Sequence, residues 1–133
     1  MYNYFLFVGY VARDFELKEV GDGKKVVALT LAVQRDFLNN EGSYSTDYFR
    51  ITCWEFLAEV AMNVLTKGSK VAIKGRMVTK KTEDKESGNV YYSTELYGER
   101  IIAFSNKANY DKANKKELEE ENKEENEPNI EEI

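Results

Sequence analysis

Residue types on which many enzymes and secreted proteins depend are scarce in this sequence. Its 133 residues include no histidine, one cysteine and one proline. The chain also has no glycine-rich phosphate loop, so it lacks the residue most often used in acid–base catalysis and the loop most often used to bind nucleotide phosphates. The lone Cys53 excludes a disulfide within the chain and favours a reducing cytoplasm. We therefore predict a cytoplasmic protein that is not an enzyme and needs no cofactor.

Carboxylates offer one remaining route to catalysis, through a bound metal ion. A nuclease-type site needs two or three carboxylates to converge, and no spacing in the sequence requires this. We therefore predict no metal site. The acids expected in loops or at strand ends are Asp14, Glu16, Asp22, Asp47 and Glu55.

Long apolar runs are absent as well. Residues 1–11 are apolar, but the segment is too short to span a bilayer. It also lacks the basic start and the small-residue cleavage site of a signal peptide. We expect neither membrane association nor secretion.

Charge is divided unevenly between two parts of the chain. Residues 107–133 hold five Lys and ten Asp or Glu, whereas residues 1–106 hold 14 basic and 14 acidic residues. The net charge of −5 therefore belongs to the C-terminal part and does not argue against a nucleic-acid partner for the rest. Because the chain has few large apolar residues from Asn106 onward, we predict a folded domain over 1–106 and a disordered acidic tail over 107–133.

Hydrophobic patterns predict five strands and one helix, with strands over 4–11, 25–35, 48–54, 70–79 and 90–97 and a continuation over 101–104. Gly9 would mark a bulge or sharp bend in the first strand, and Gly75 interrupts the fourth strand where a barrel must bend. Lys67 and Gly68 would stop the helix. The helix is indicated by apolar residues at helical spacing, namely Leu57, Val60, Ala61, Val64 and Leu65.

The third predicted strand separates its side chains into two sets. Phe49, Ile51 and Cys53 form an apolar face that would join the core, because alternate residues of a strand point to opposite sides. The other face carries Tyr48, Arg50, Thr52 and Trp54. Rings beside a guanidinium suit the stacking of unpaired bases and the binding of their phosphates. The same rings could instead be strand aromatics covered by a helix or a partner subunit.

The element order, three strands, a helix and two strands, is that of an oligonucleotide-binding (OB) barrel. We predict an all-β fold with one helix, a five-stranded antiparallel OB-fold barrel whose helix lies between the third and fourth strands. Other small β-barrels with one helix share this order.

Several segments resemble the bacterial single-stranded DNA-binding protein (SSB) family, in register over residues 3–104. The similar segments are 8–17 (VGYVARDFEL), 27–33 (VALTLAV), 48–61 (YFRITCWEFLAEVA), 65–71 (LTKGSKV), 74–76 (KGR) and 92–95 (YSTE).

The resemblance implies sequence-nonspecific binding of single-stranded DNA, in replication, recombination and repair. Bases would stack on Phe37, after the second strand, and on Tyr48 and Trp54 of the third. The family's fourth ring position, on the hairpin between the last two strands, holds Thr82 here. Tyr91 or Tyr92 could replace it, or could be core or interface residues. Phosphate contacts are expected from the cations at polar strand faces and loop bases: Arg35, Arg50, Lys70, Lys74, Arg76, Lys80 and Lys81.

Partners of two further kinds follow from the resemblance. One is a homotetramer around which DNA wraps, consistent with a first strand that is apolar on both faces. The other is a set of replication and repair proteins that bind the tail tip, in a protein associated with the nucleoid. The tip departs from the family pattern of a run of Asp and a final aromatic residue, since it ends in Ile130, Glu131, Glu132 and Ile133.

A rival interpretation keeps the barrel and changes its partner. An OB-fold adaptor of the primosome or replisome, or an RNA-binding module, would use its faces mainly for protein contacts. Retention of Phe37, Tyr48 and Trp54 favours DNA.

Overall fold

The structure, a computed structural model, describes residues 1–104. Within that range the elements are β1 (Phe5–Val11), β2 (Lys18–Val20), β3 (Lys24–Leu38), β4 (Tyr44–Trp54), α1 (Phe56–Val64), β5 (Lys70–Glu83) and β6 (Val90–Ala103). The predicted tail over 107–133, with its tip, lies outside the described residues.

Five of the strands close into a ring in the order β1-β5-β6-β4-β3, with β3 pairing back to β1. The pairs are antiparallel except β4 with β6, which is parallel. The helix α1 lies between β4 and β5, which confirms the predicted OB-fold barrel. Among residues 1–104, a sixth strand, β2, pairs with β3 alone. It was not predicted, because its three residues are exposed and carry no apolar alternation.

The interior of the ring is filled by alternate residues of the strands. Leu29, Leu31, Ile51 and Ile73 are fully buried, as the alternation of apolar residues predicts. Phe49 is partly buried and stacks on Phe7, with ring centroids 4.2 Å apart and planes at 12°. Burial of apolar area of this kind is the main force that stabilises such a small barrel.

Two glycines allow the strands to approach each other closely. A Cβ at Gly75 would collide with the carbonyl oxygen of Tyr97 and with the ring of Phe5, and the β5–β6 register shifts at this point. The bend predicted at Gly75 is therefore present. A Cβ at Gly9 would collide with the carbonyl oxygen of Ala32, where β1 passes from β5 to β3. The β1–β5 register runs through Gly9 without a shift, so this glycine serves close approach.

The helix is held against β3 by Lys25. Its backbone nitrogen donates to Glu55 Oε1 at 2.8 Å, and its ammonium forms a close ion pair with Glu59. The Glu59 carboxylate raises the pKa of Lys25. Leu65 and Ala61 are buried, as the helical spacing predicts.

The helix ends at Val64, before the predicted stop at Lys67 and Gly68. The Leu65 backbone nitrogen donates to the Ala61 carbonyl, and the turn that follows is closed by the buried Ser69, whose Oγ accepts from the Thr66 backbone nitrogen at 3.0 Å. Gly68 adopts a φ of 91° within that turn, a conformation that glycine tolerates well.

Both long hairpins extend further than their apolar patterns predict. The predicted loop 36–43 shrinks to 39–43, because β3 continues to Leu38 and β4 starts at Tyr44. Likewise β5 continues past its predicted end at residue 79 to Glu83, whereas β6 starts at Val90 as predicted. The added residues are mostly polar, and the large apolar ones among them, Phe37, Leu38 and Tyr44, are exposed. Cross-strand hydrogen bonding rather than core burial therefore defines these extensions.

Candidate nucleic-acid interface

The outward face of β4 carries the rings and the arginine that the alternation predicted. Tyr48 and Arg50 are exposed and Trp54 is partly buried, whereas Ile51 and Cys53 are fully buried on the other side. Burial raises the pKa of the Cys53 thiol to about 12, so this residue stays neutral and belongs to the core. The two sides of one strand therefore have distinct roles.

Small residues of β3 lie opposite this row and keep the sheet surface accessible. The cross-strand pairs are Ala32 with Tyr48, Thr30 with Arg50 and Ala28 with Thr52. A base that approaches Tyr48 meets methyl and hydroxyl groups there instead of bulky side chains, and the residue across from Trp54 is Val26. Short side chains on β3 thus leave the faces of the β4 rings open.

An open groove of about 520 Å³ runs along this sheet surface. Arg50 and Thr52 of β4 and Ala28 of β3 contribute to its floor, and the segment from Asp14 to Lys18 forms one wall. Lys18 also pairs with Glu16 at 3.8 Å. Two acids, Asp14 and Glu16, and two cations, Lys18 and Arg50, line the groove, so it carries no net charge. Its open, elongated shape is suited to part of an extended polar chain.

Two rings that the sequence pattern did not single out belong to the same surface. Tyr97 of β6 lies beside Trp54, with centroids 6.3 Å apart in an edge-to-face arrangement. The Arg76 guanidinium is 5.9 Å from the Tyr97 ring. Partial burial of the Tyr97 hydroxyl raises the pKa of this residue, and the neighbouring Glu95 carboxylate raises it further. Only the parallel β4–β6 pairing, with Thr52 beside Tyr97, brings Tyr97 here.

The second additional ring is Tyr44. Because β4 begins four residues earlier than predicted, exposed Tyr44 shares the outward face with Tyr48. We call this outer surface the aromatic face, and its residues are Tyr44, Tyr48, Arg50, Trp54, Arg76 and Tyr97.

Phe37 and Arg35 lie on the β3–β4 hairpin beyond the ring of strands. Phe37 is exposed, at an irregularity in the β3–β4 register between Gln34 and Leu38. Arg35 donates two hydrogen bonds of 2.9 Å to the carboxylate of Asp47. This contact lowers the pKa of Asp47 and raises that of Arg35. Asp47 alternates with Tyr48, so the ion pair lies on the opposite side of the strand from that ring.

The other predicted phosphate ligands are distributed around the barrel. Arg50 and Arg76 belong to the aromatic face. Lys80 and Lys81 lie farther along β5, on opposite sides of the strand. Lys74 lies with its ammonium 5.9 Å from the Tyr4 ring. Lys70 lies 5.5 Å from the Phe104 ring and 6.0 Å from the Tyr10 ring.

Lys70 and Lys74 belong to a second exposed surface, formed by β1, β5 and the end of β6. The β1–β5 pairs include Leu6 with Lys74 and Val8 with Ala72, and Ala72 also pairs with Ile102 of β6. Leu6, Val8, Ile102 and Phe104 are exposed. We call this surface the β1 face, and its residues are Leu6, Val8, Lys70, Ala72, Lys74, Ile102 and Phe104.

The acids considered as metal ligands do not form a cluster. Across residues 1–104 no group of three or more His, Cys, Asp or Glu side chains is placed to hold a metal ion. Asp47 pairs with Arg35, and Glu55 accepts from the Lys25 backbone. Over the same range, no helix combines the length and the apolarity that crossing a membrane requires.

The fold and the aromatic face define the class of the protein. A closed five-stranded barrel with a helix between β4 and β5, and with rings and arginines on one outer sheet surface, is an OB-fold barrel of the oligonucleotide-binding type. A sequence model described as the single-strand binding protein family matches residues 2–104. The chain belongs to this family.

Individual relatives support the assignment. Single-stranded DNA-binding protein B of Bacillus subtilis is 36% identical over 96 residues, or 72% of this chain and 85% of that protein. Single-stranded DNA-binding protein 1 of Staphylococcus aureus is 37% identical over 101 residues, 76% of this chain and 64% of that protein. Single-stranded DNA-binding protein 1 of Chlorobaculum tepidum is 33% identical over 96 residues, which are 71% of this chain and 59% of that protein. The matched region spans less than two thirds of the last two relatives.

Proposed function

We propose that the protein binds single-stranded DNA without sequence preference and coats unpaired DNA during replication, recombination and repair. The observation that carries this proposal is the aromatic face on an OB-fold barrel of the single-strand binding protein family. Stacking works with every base, because each base has a π-face, and it contributes about 1–3 kcal/mol per base. Duplex DNA is excluded, since its bases are already paired and stacked.

The proposed stacking residues are Phe37, Tyr48 and Trp54, with Tyr97 and Tyr44 beside them. Phosphates would be bound first by Arg50 and Arg76, which lie among these rings. The other proposed contacts depend on the path that the DNA takes beyond this face. Arg35 must exchange Asp47 for a phosphate before it can take part. These remaining contacts are Arg35, Lys70, Lys74, Lys80 and Lys81.

The protein would act as a homotetramer in the cytoplasm, associated with the nucleoid. The β1 face supports self-association, because aliphatic and aromatic side chains there are exposed to water in the single chain. The tail tip, from Ile130 to Ile133, would recruit replication and repair proteins through its carboxylates and terminal isoleucine. The proposed domain limits are 1–106 for the barrel and 107–133 for the tail.

The experiment uses the emission of Trp54, the single tryptophan of the chain. Titration with oligothymidylate at two salt concentrations should quench this emission to saturation. Affinity should fall with rising salt at a slope of about −0.7 per phosphate contacted. A duplex of equal length should produce no quenching at the same concentrations. An RNA oligonucleotide of equal length measures the preference for DNA.

Two outcomes would overturn the proposal. Emission that stays constant, together with no retention of labelled oligothymidylate, would favour the adaptor interpretation. Shortening of the oligonucleotide on addition of magnesium would favour a nuclease.

A further inference from the structure

The ends of β5 and β6 form a regular two-stranded arm beyond the ring of strands. Its register is unbroken from the pair Arg76–Tyr97 to the pair Glu83–Val90. The turn is closed by Asp84, which accepts from the Glu86 backbone nitrogen at 3.0 Å and from Ser87 Oγ at 2.9 Å. These hydrogen bonds lower the pKa of Asp84. The arm is therefore an ordered ribbon with two defined faces.

Strand alternation assigns each side chain of the arm to one face. The front face continues from Arg76 and Tyr97, two members of the aromatic face. It carries the cross-strand pairs Val78 with Glu95, Lys80 with Ser93 and Thr82 with Tyr91. The back face carries Met77 with Leu96, Thr79 with Thr94, Lys81 with Tyr92 and Glu83 with Val90.

The two adjacent tyrosines of the arm consequently lie on opposite faces. Tyr91 is 56% exposed and Tyr92 is 71% exposed. Tyr91 lies directly across from Thr82, whose small side chain leaves room beside the ring. Tyr92 lies across from Lys81, on the side that continues from Met77 and Leu96. Only Tyr91 is on the same surface as Tyr97 and Trp54.

The front face of the arm is also more positively charged than the back face. The front face has two cations, Arg76 and Lys80, and one acid, Glu95. The back face has one cation, Lys81, and one acid, Glu83. A polyanion is therefore attracted to the front face more than to the back.

We propose that the front face of the arm extends the DNA-binding surface, with Tyr91 as a further base-stacking platform and Lys80 as the adjacent phosphate contact. This inference rests on the proposed function and deepens it. Six residues of strand separate Tyr91 from Tyr97, a distance of about 20 Å. Only DNA long enough to pass from the barrel onto the arm would reach Tyr91. The resemblance implies an aromatic residue at position 82, which is Thr82 in this chain. Tyr91, directly across from Thr82 on β6, would supply a ring there instead.

The experiment compares Tyr91→Ala with Tyr92→Ala, a matched loss of one exposed tyrosine from the adjacent position. Affinity is measured by Trp54 quenching with oligothymidylates of about 5 and about 15 nucleotides, which lie near the two ends of the range of about 4–16 nucleotides that one OB fold occupies. Tyr91→Ala should weaken binding of the longer oligonucleotide by about 5- to 150-fold, the range expected for one stacked base. It should leave binding of the shorter one unchanged, and Tyr92→Ala should leave both unchanged.

A rescue variant separates stacking from structural damage. Tyr91→Trp should restore or improve the affinity for the longer oligonucleotide, since a larger ring stacks at least as well. The inference is overturned if both alanine variants behave as the unmodified protein does, or if they lose affinity equally. It is also overturned if Tyr91→Ala lowers the mass in solution, because the ring would then be covered by another copy of the chain.

The same binding experiments distinguish failure of this inference from failure of the proposed function. In the first case the unmodified protein still quenches and binds both oligonucleotides. In the second it binds neither, whatever residue occupies position 91.

Discussion

The aromatic face and the β1 face are built from similar ingredients on one barrel, yet they suit different partners. Both expose rings, and both place cations within 6.0 Å of a ring centroid. On the aromatic face the spaces between rings are filled by alanine and threonine of β3. On the β1 face they are filled by Leu6, Val8 and Ile102. Rings and cations alone therefore do not identify a nucleic-acid interface.

The side chains that lie between the rings determine which kind of partner each face can bind. Small side chains around Tyr48 and Arg50 leave the ring faces and the guanidinium free to contact a flat base and its phosphate. Aliphatic side chains on the β1 face create a continuous apolar surface, which gains stability when another protein surface covers it. We infer that the first face is for DNA and the second for another copy of the chain.

Removing the rings should give the largest effect. The double replacement Tyr48→Ala with Trp54→Ala should weaken binding of a short oligothymidylate by about 30-fold or more, since two stacked bases lose their platforms. Because Trp54 is lost, affinity is measured by anisotropy of a labelled oligonucleotide. The matched control, Tyr4→Ala with Phe104→Ala, removes two exposed rings from the side of β1. Equal losses in the two double variants would abolish the distinction between the faces.

Placing a charge on the β1 face should give the next largest effect. Leu6→Asp is expected to lower the mass in solution, weakening self-association by about 10-fold or more, because a carboxylate would be buried in an apolar contact. Binding of a short oligonucleotide should persist. Leu38→Asp is the matched control, since Leu38 is 56% exposed and Leu6 is 60% exposed. An unchanged mass for Leu6→Asp would remove the β1 face from the interface.

Neutralising cations should give the smallest effect and should reveal the path of the DNA. Arg50→Gln with Arg76→Gln should make the salt dependence of short-oligonucleotide binding shallower by about 1.4, or about 0.7 for each phosphate contact. Lys70→Gln with Lys74→Gln removes the same charge from the β1 face and should leave that slope unchanged. With a longer oligonucleotide, both pairs should matter if DNA wraps around the barrel. Equal effects on the short oligonucleotide would contradict the assignment of the first contacts to Arg50 and Arg76.

The sequence by itself determined the elements with apolar alternation and the division of residues 48–54 into two faces. Side-chain direction in a strand depends only on parity, so burial of Ile51 and Cys53 and exposure of Tyr48 follow from local order. The same reasoning failed for β2 and for the extended hairpins, because polar strands are defined by their hydrogen-bonding partners.

Only the tertiary structure decided which strands became neighbours. The parallel pairing of β4 with β6 brings Tyr97 to Trp54, and the antiparallel pairing of β5 with β6 brings it to Arg76, although the three residues are far apart in the chain. The β5–β6 register places Tyr91 across from Thr82 and turns Tyr92 away. Barrel closure also divides the outer surface, leaving Lys70 and Lys74 beside β1. Distances between strands depend on register and closure, which are properties of the whole sheet, whereas local alternation fixes only the side of a strand on which a residue lies.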